Sequence, residues 1–104
     1  MGKKEIIEQL RKFKKRISKK TKVEQMIFFG SRAIGKPTKD SDIDLIIVSP
    51  AFRKQVSFKR GINLYKKWDL DYPVDFLCYT PEEFQKVSKI ATIVRNARKE
   101  GIVI

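Results

Sequence analysis

Three short segments of β-branched and aromatic residues most constrain how this chain can fold. They are residues 23–29, which end at Gly30, residues 42–48, which are followed by Pro50, and residues 73–79. Apolar segments of this length between turn-forming residues are typical of strands. Helical patterns stand before the first segment and on both sides of the third. The order αβ(loop)βαβα therefore predicts an α/β (α+β) domain built on a small sheet.

Two helices are predicted from apolar residues that recur at helical spacing. Residues 3–20 form the first, with lysines and arginines around a single apolar stripe made of Ile6, Leu10, Phe13 and Ile17. Residues 52–68 form the second, with an apolar side made of Phe58, Ile62, Tyr65 and Trp68. The aromatic rings of Tyr65 and Trp68 are expected to lie in the core.

The helix after residue 79 carries the clearest start signal. Thr80 suits the N-cap, Pro81 the first helical position, and Glu83 completes a capping box. The expected buried stripe consists of Phe84, Val87, Ala91 and Val94. Gly101 is predicted to cap the end of this helix, and residues 102–104 to add an edge strand. The sheet would then have three to four strands.

Composition limits the chemistry. With 104 residues, the chain is predicted to form one domain spanning residues 1–104. It has no histidine, which excludes imidazole bases and His-ligated zinc. Its one cysteine, Cys78, is expected to be a buried thiol and suits a reducing cytoplasm. No segment resembles a secretion signal or a membrane span. Catalysis, if present, must come from carboxylates and a bound metal.

The charge is strongly positive and unevenly distributed. The formal net charge is +12, and the first 22 residues hold ten basic and two acidic side chains. Such a basic segment favours an acidic partner, which could be a nucleic acid, a protein or a nucleotide. A solvated helix face would give the same pattern.

The segment that contains Gly30 superficially resembles a phosphate-binding P-loop. Gly30, Gly35 and Lys36 fit the spacing GxxxxGK after a strand. That motif requires Ser or Thr next, together with the start of a helix. Pro37 stands there instead, only a few residues before the next strand, so the sequence does not favour a P-loop.

The aspartates in and after this region support a second interpretation, a metal site. Asp42 and Asp44 are two residues apart on a predicted strand, so their side chains point to one face. Asp75 interrupts another apolar strand, where an unpaired carboxylate would be costly to bury. Three acidic groups that share a site repel one another unless a divalent cation holds them. The pattern predicts a metal site, although Asp42 and Asp44 alone would also fit a solvated strand start.

Gly30 and Ser31 suit an anion. Glycine at a strand end lets the backbone approach a ligand closely, and Ser31 offers a hydroxyl and an N–H group. Arg32 or Lys36 could add positive charge. Gly-Ser followed ten residues later by Asp-x-Asp is far more specific than either motif alone.

Together these residues resemble the minimal nucleotidyltransferases of the DNA polymerase-beta superfamily. Gly30-Ser31, Asp42, Asp44 and Asp75 carry the resemblance, which extends over nearly the whole chain. It implies a nucleotidyltransferase fold, with a small mixed sheet flanked by helices. One position departs from the family pattern, because Ile34 stands where arginine is frequent, and this puts one phosphate contact in doubt.

The resemblance also implies roles. Asp42, Asp44 and Asp75 would be catalytic and would hold Mg²⁺, as two ions. Four residues would bind the nucleotide: Gly30, Ser31, Arg32 and Ser41. Members of this family are often antitoxins paired with a HEPN ribonuclease toxin, and some transfer AMP from ATP to a tyrosine of that toxin. The expected partners are thus a nucleoside triphosphate and a HEPN-type toxin.

Two other functions stay open from the sequence. The chain could neutralise an acidic toxin by contact alone, with a vestigial site, since Lys12, Lys15, Arg16, Lys19 and Lys20 stand on the first helix. It could also bind RNA or add nucleotides to RNA, a reading that rests on net charge and lacks an RNA-binding aromatic motif.

Overall fold

The computed structural model describes residues 2–37 and 41–104. Helices and strands cover most of that part of the chain. In chain order they are α1 (Lys3–Ser18), β1 (Gln25–Phe29), β2 (Ile43–Val48), a 3-10 helix (Pro50–Lys54), α2 (Ser57–Tyr65), β3 (Val74–Tyr79), α3 (Pro81–Ile90), α4 (Thr92–Glu100) and β4 (Ile102–Val103). No helix in residues 2–37 or 41–104 has both the length and the apolar character needed to cross a bilayer.

The strands form one mixed sheet in the order β3-β2-β1-β4. β2 runs parallel to β3, whereas β1 is antiparallel to both β2 and β4. The short C-terminal strand pairs Ile102 with Phe28 and Val103 with Ile27, at the edge of the sheet. The predicted α/β fold, with a small mixed sheet flanked by helices, is confirmed.

Helices pack on both faces of the sheet. On one face, α1 buries its predicted apolar stripe against β1 and β2, and Phe13 and Leu10 are fully buried there. On the other face, α3 and α4 cover Ile27 and Ile46 with Phe84, Val94 and Ala97. Because side chains alternate along a strand, both faces of β1 and β2 must be apolar, which explains why these strands read as nearly continuous apolar segments.

The helix predicted over residues 52–68 is wrong in extent and in burial. Ser49 accepts a hydrogen bond from the N–H of Ala51 at 3.1 Å and starts the 3-10 helix early. Gln55 and Val56 then adopt extended backbone, and α2 begins only at Ser57. The reoriented helix buries Arg60 and Leu64 instead of the predicted stripe.

That stripe lies largely in solvent, and the expectation that Tyr65 belongs to the core is wrong. Phe58, Ile62 and Tyr65 are 69 %, 53 % and 54 % exposed. Trp68 does pack against the core, where its ring contacts Phe13 edge-on at 5.1 Å between centroids.

The final helix is also not continuous. The predicted capping box is present: Thr80 accepts from the Glu83 N–H at 3.2 Å, and Glu83 accepts from the Thr80 N–H at 2.7 Å. Ala91 then takes extended backbone and separates α3 from α4. The β-branched residues around Ala91 (Ile90 and residues 92–94) have low helix propensity, so a break costs little there. The break allows α4 to pack along β1.

Candidate active site

Asp44 and Asp75 lie directly opposite each other in the parallel β2–β3 ladder. Neighbouring strands are about 4.8 Å apart, and paired residues in register point to the same face. Both aspartates lie near the beginning of their strands, and Ile43 ties the two beginnings together by donating its N–H to the carbonyl of Pro73 at 2.9 Å. The sheet thus brings Asp75 next to Asp44, while the metal site that the three aspartates would share stays a prediction.

Asp42 was predicted to be the first residue of the second strand, but β2 begins one residue later, at Ile43. Asp42 is exposed. The pKa of Asp44 is raised, first by burial and then by the negative charges of Asp75 and Asp42. The carboxylates of Asp75 and Asp42 therefore both act electrostatically on Asp44. Their roles in catalysis and metal binding stay predictions.

Gly30 follows the last residue of β1 and lies against Asp44. We refer to Asp42, Asp44 and Asp75 together as the acidic group. The φ of Gly30 is 81°, which lies in the left-handed region that favours glycine. An added Cβ would collide with the carboxylate of Asp44, and would lie only 3.0 Å from its Cγ. Phe29, the residue before, is the register partner of Asp44 on the other strand. Glycine is thus required at position 30 both by the backbone and by the space that Asp44 fills.

A tight turn follows Gly30. The carbonyl oxygen of Gly30 accepts hydrogen bonds from the N–H groups of Ala33 at 3.0 Å and Ile34 at 3.2 Å. The carbonyl oxygen of Ser31 accepts one from the Lys36 N–H at 3.0 Å. Residues 31–35 thus form hydrogen-bonded turns and not a regular helix. Gly30 and Ser31 lie at the beginning of these turns, and Gly30 is the one in contact with Asp44.

Arg32 and Ser41 contact each other. The Nε of Arg32 donates to the carbonyl oxygen of Ser41 at 2.7 Å, and its guanidinium lies 4.6 Å from the centre of the Tyr72 ring. Arg32 therefore braces the turn against the residue that precedes Asp42. Its predicted contact with a nucleotide stays a prediction, as does that of Ser41.

The acidic group fits an open magnesium site better than a closed metal cage. Within the described ranges, 2–37 and 41–104, no three acidic, cysteine or histidine side chains form a ready-made metal cluster. Mg²⁺ is usually bound by one or two carboxylates plus substrate phosphates, so a closed cluster is not needed. Carboxylate oxygens are the hard ligands that it prefers, and a cation would relieve the repulsion around Asp44.

Two clefts flank the acidic group, and the sequence revealed neither of them. One has a volume of about 370 Å³ and lies between the Gly30-Ser31 turn and α4, where Asn96 and Glu100 supply polar groups. Asn96, a weak helix former in mid-helix, was the one available signal. The other has a volume of about 490 Å³, lies between α2 and β3, and reaches Asp75.

Cys78 is not a competing nucleophile. It packs against the core on the α1 side of the sheet. Burial raises the pKa of its thiol to about 12, and the nearby charge of Arg60 offsets this only in part. A thiol with that pKa is almost entirely protonated at neutral pH and therefore unreactive.

Comparison with solved structures finds the same fold elsewhere. The chain superimposes on a crystal structure from Sulfolobus solfataricus, described as a candidate nucleotidyltransferase, with a TM-score of 0.68 and 19 % sequence identity. The match covers 97 % of this chain and 80 % of that one. At this identity the likeness establishes the fold alone. No curated protein is similar enough to this sequence to count as a match.

A family model decides the assignment. The model of the nucleotidyltransferase domain matches residues 10–104, which include the Gly30-Ser31 turn and all three aspartates. This match covers far more than half of the sequence, and the observed sheet agrees with it. The chain therefore belongs to the nucleotidyltransferase domain family.

Proposed function

We propose that this protein transfers a nucleotidyl group, AMP from ATP, to a hydroxyl group of a partner protein and releases pyrophosphate. One observation carries the proposal: Asp44 and Asp75 stand opposite each other on β2 and β3, and the Gly30 backbone lies against the Asp44 carboxylate. A phosphate-binding turn and an acidic group in direct contact are what phosphoryl-type transfer requires.

Each candidate site residue has a role in the proposed reaction. Asp42, Asp44 and Asp75 would hold two Mg²⁺ ions. When bound, these ions would neutralise negative charge on the triphosphate. Gly30 and Ser31 bind the outer phosphates through backbone N–H groups and the Ser31 hydroxyl. Asp75 accepts the proton of the acceptor hydroxyl. The acceptor oxygen then forms a bond to the α-phosphorus, the bond between that phosphorus and the bridging oxygen breaks, and pyrophosphate departs with the electron pair.

The partner we favour is a HEPN-type ribonuclease toxin, with this chain as its antitoxin. The resemblance of the motif set to toxin-linked members of the superfamily supports this choice.

A second candidate rests on the outer face of α1. Lys12 and Lys15 on this helix and Lys19 at its C-cap are exposed and basic. This surface could neutralise an acidic toxin by contact alone, or bind RNA, in which case affinity would fall steeply with salt.

The test uses ATP labelled at the α-phosphate, Mg²⁺, and the protein that co-purifies with this chain from its native host. We expect the label on the partner protein, and its loss in Asp75→Asn. Asp71→Asn is the matched control, because Asp71 is exposed in the turn before β3. Equal labelling by Asp75→Asn would contradict the role of Asp75. Nucleotide binding without any labelling of protein would favour RNA as acceptor, and neutralisation without nucleotide binding would favour the contact mechanism.

A further inference from the structure

The exposed side of α2 is a continuous apolar surface. Phe58, Ile62 and Tyr65 follow one another at spacings of four and three, and each is more than half exposed. Val56, just before the helix, is 57 % exposed and extends the surface. We refer to these four residues as the α2 stripe. An apolar helix face that the chain itself does not cover marks an interaction site.

The α2 stripe leads into the candidate active site. Phe58, Ile62 and Tyr65 line the cleft of about 490 Å³, and Val74, Asp75 and Phe76 of β3 line it as well. The Gly30-Ser31 turn opens into the other cleft, beside α4. A group that lies along the α2 stripe would therefore lie close to Asp75, in a cleft separate from the one beside the Gly30-Ser31 turn.

The charge around the stripe favours an acidic partner. Residues 50–68 contain no acidic side chain, and they carry Arg53, Lys54, Lys59, Arg60, Lys66 and Lys67. Arg53 and Arg60 pair with Glu82 and Glu83, whereas the four lysines are exposed. Beyond the end of α2, Lys67 joins Arg16, Lys19 and Lys20 around a shallow cleft. A second copy of this chain, with a net charge of +12, would oppose like charges here.

The shape of the stripe favours a protein over RNA. Single-stranded RNA binds on open aromatic faces that stack successive bases. Here Ile62 separates the two rings, and Tyr65 is packed edge-on against Phe76 at 6.3 Å between centroids. Aliphatic and aromatic side chains along one helix face suit an amphipathic protein segment.

We infer that the α2 stripe is the docking surface for the acceptor protein, and that it takes an acidic amphipathic segment and directs that segment's hydroxyl to Asp75. The docking step does not depend on the proposed function, whereas delivery of the hydroxyl does. Apolar contact along the stripe provides affinity, and the surrounding lysines select acidic flanks over basic ones.

The test measures docking without nucleotide. The probe is a synthetic 16-residue helical peptide with leucines and one tyrosine on one face and glutamates on the other. A second peptide has lysines in place of the glutamates. Each is titrated into the full chain by NMR. We expect the glutamate peptide to shift the amide resonances of α2 and to bind at least tenfold more tightly than the lysine peptide.

Two variants make the measurement specific. Ile62→Lys introduces a charge into the stripe and should weaken binding at least tenfold. Ile90→Lys is the matched control, because Ile90 is 79 % exposed on α3, outside the stripe, and should change binding less than twofold. Both residues are on the surface, so both variants should keep the melting temperature of the wild-type chain within a few degrees, which circular dichroism checks.

Several results would overturn the inference. These are unchanged amide resonances of α2, equal affinity for the two peptides, or an equal loss of affinity in Ile62→Lys and Ile90→Lys. Binding of a single-stranded RNA dodecamer to α2 in preference to the glutamate peptide would also overturn it. The label-transfer assay, run separately, tests the proposed function, so the docking inference and the proposed function can fail independently.

Discussion

The carboxylate of Asp44 occupies the space where any side chain at Gly30 would have to begin. The contact joins the Gly30-Ser31 turn to the acidic group, so a change at one should disturb the other. Gly35 offers an unusually close comparison, because its φ of 79° is nearly that of Gly30 and an added Cβ there would meet nothing within 4 Å.

Gly30→Ala should therefore be much more harmful than Gly35→Ala. Each change places alanine at positive φ, which costs about 1–2 kcal/mol of the free energy of unfolding. Only Gly30→Ala also displaces Asp44, so it should lose at least tenfold more transfer activity. Urea denaturation and the label-transfer assay measure the two effects. Equal activity in the two variants would show that the contact with Asp44 has no functional importance.

Asp44→Asn should make the protein more stable while abolishing transfer. The pKa of Asp44 is raised by burial and by Asp75 and Asp42, so its charged form destabilises the folded state. At pH 7 the variant should gain roughly 0.5 kcal/mol in the free energy of unfolding, a small value because solvent screens the half-buried group.

The gain should depend on pH in a defined direction. Below the ordinary pKa of 3.8 the wild-type carboxyl is protonated in both states, and the gain should vanish. Asp69→Asn serves as control, because Asp69 is paired with Arg16 at 2.7 Å and its loss should not stabilise the fold. A destabilised Asp44→Asn variant would contradict the electrostatic account.

Glu83 should give the opposite dependence on pH. Burial raises its pKa, but hydrogen bonds from Arg60 and from the Thr80 N–H outweigh burial, and the pKa is lowered overall. Its stabilising contribution is present above the ordinary value of 4.5 and is lost as pH falls through the lowered pKa. Glu83→Gln should reduce the free energy of unfolding at pH 7 by about 1–2 kcal/mol, after allowance for screening. Chemical denaturation from pH 2 to 7 measures this. An equal difference in the free energy of unfolding between the wild type and Glu83→Gln at pH 2 and at pH 7 would contradict this dependence.

Cys78 should resist alkylation. At pH 8, raising the thiol pKa from 9.0 to about 12 lowers the thiolate population by roughly a thousandfold. Iodoacetamide should therefore modify the native chain at least a hundredfold more slowly than the urea-unfolded chain, as mass spectrometry can follow. Comparable rates would show that Cys78 is neither buried nor perturbed as described.

The acidic group could be predicted because its signal is local. Two aspartates at a spacing of two must share a face of a strand, and an aspartate within an apolar strand must face either solvent or a polar site. Asp75 needed one further fact, the pairing of β2 with β3, which follows from their parallel connection through α2. The capping box at Thr80 was equally local.

The stripe on α2 could not be placed from the sequence. Periodicity shows which residues share a helix face, but not whether the chain or a partner covers that face. Phe58, Ile62 and Tyr65 therefore looked like core residues, whereas Arg60 took the buried position by pairing with Glu83 at 2.6 Å. The break at Ala91 was missed for a related reason, because the apolar spacing continues through it.

The most direct test of the account is to locate a divalent cation on the chain. Mn²⁺, which also prefers oxygen ligands, can replace Mg²⁺ and broadens nearby NMR resonances. With a non-hydrolysable ATP analogue present, we predict that broadening centres on the amides of Gly30, Asp44 and Asp75. Broadening centred on the exposed acidic turn at Asp69 and Asp71, or spread evenly over the acidic surface, would contradict the assignment of the active site.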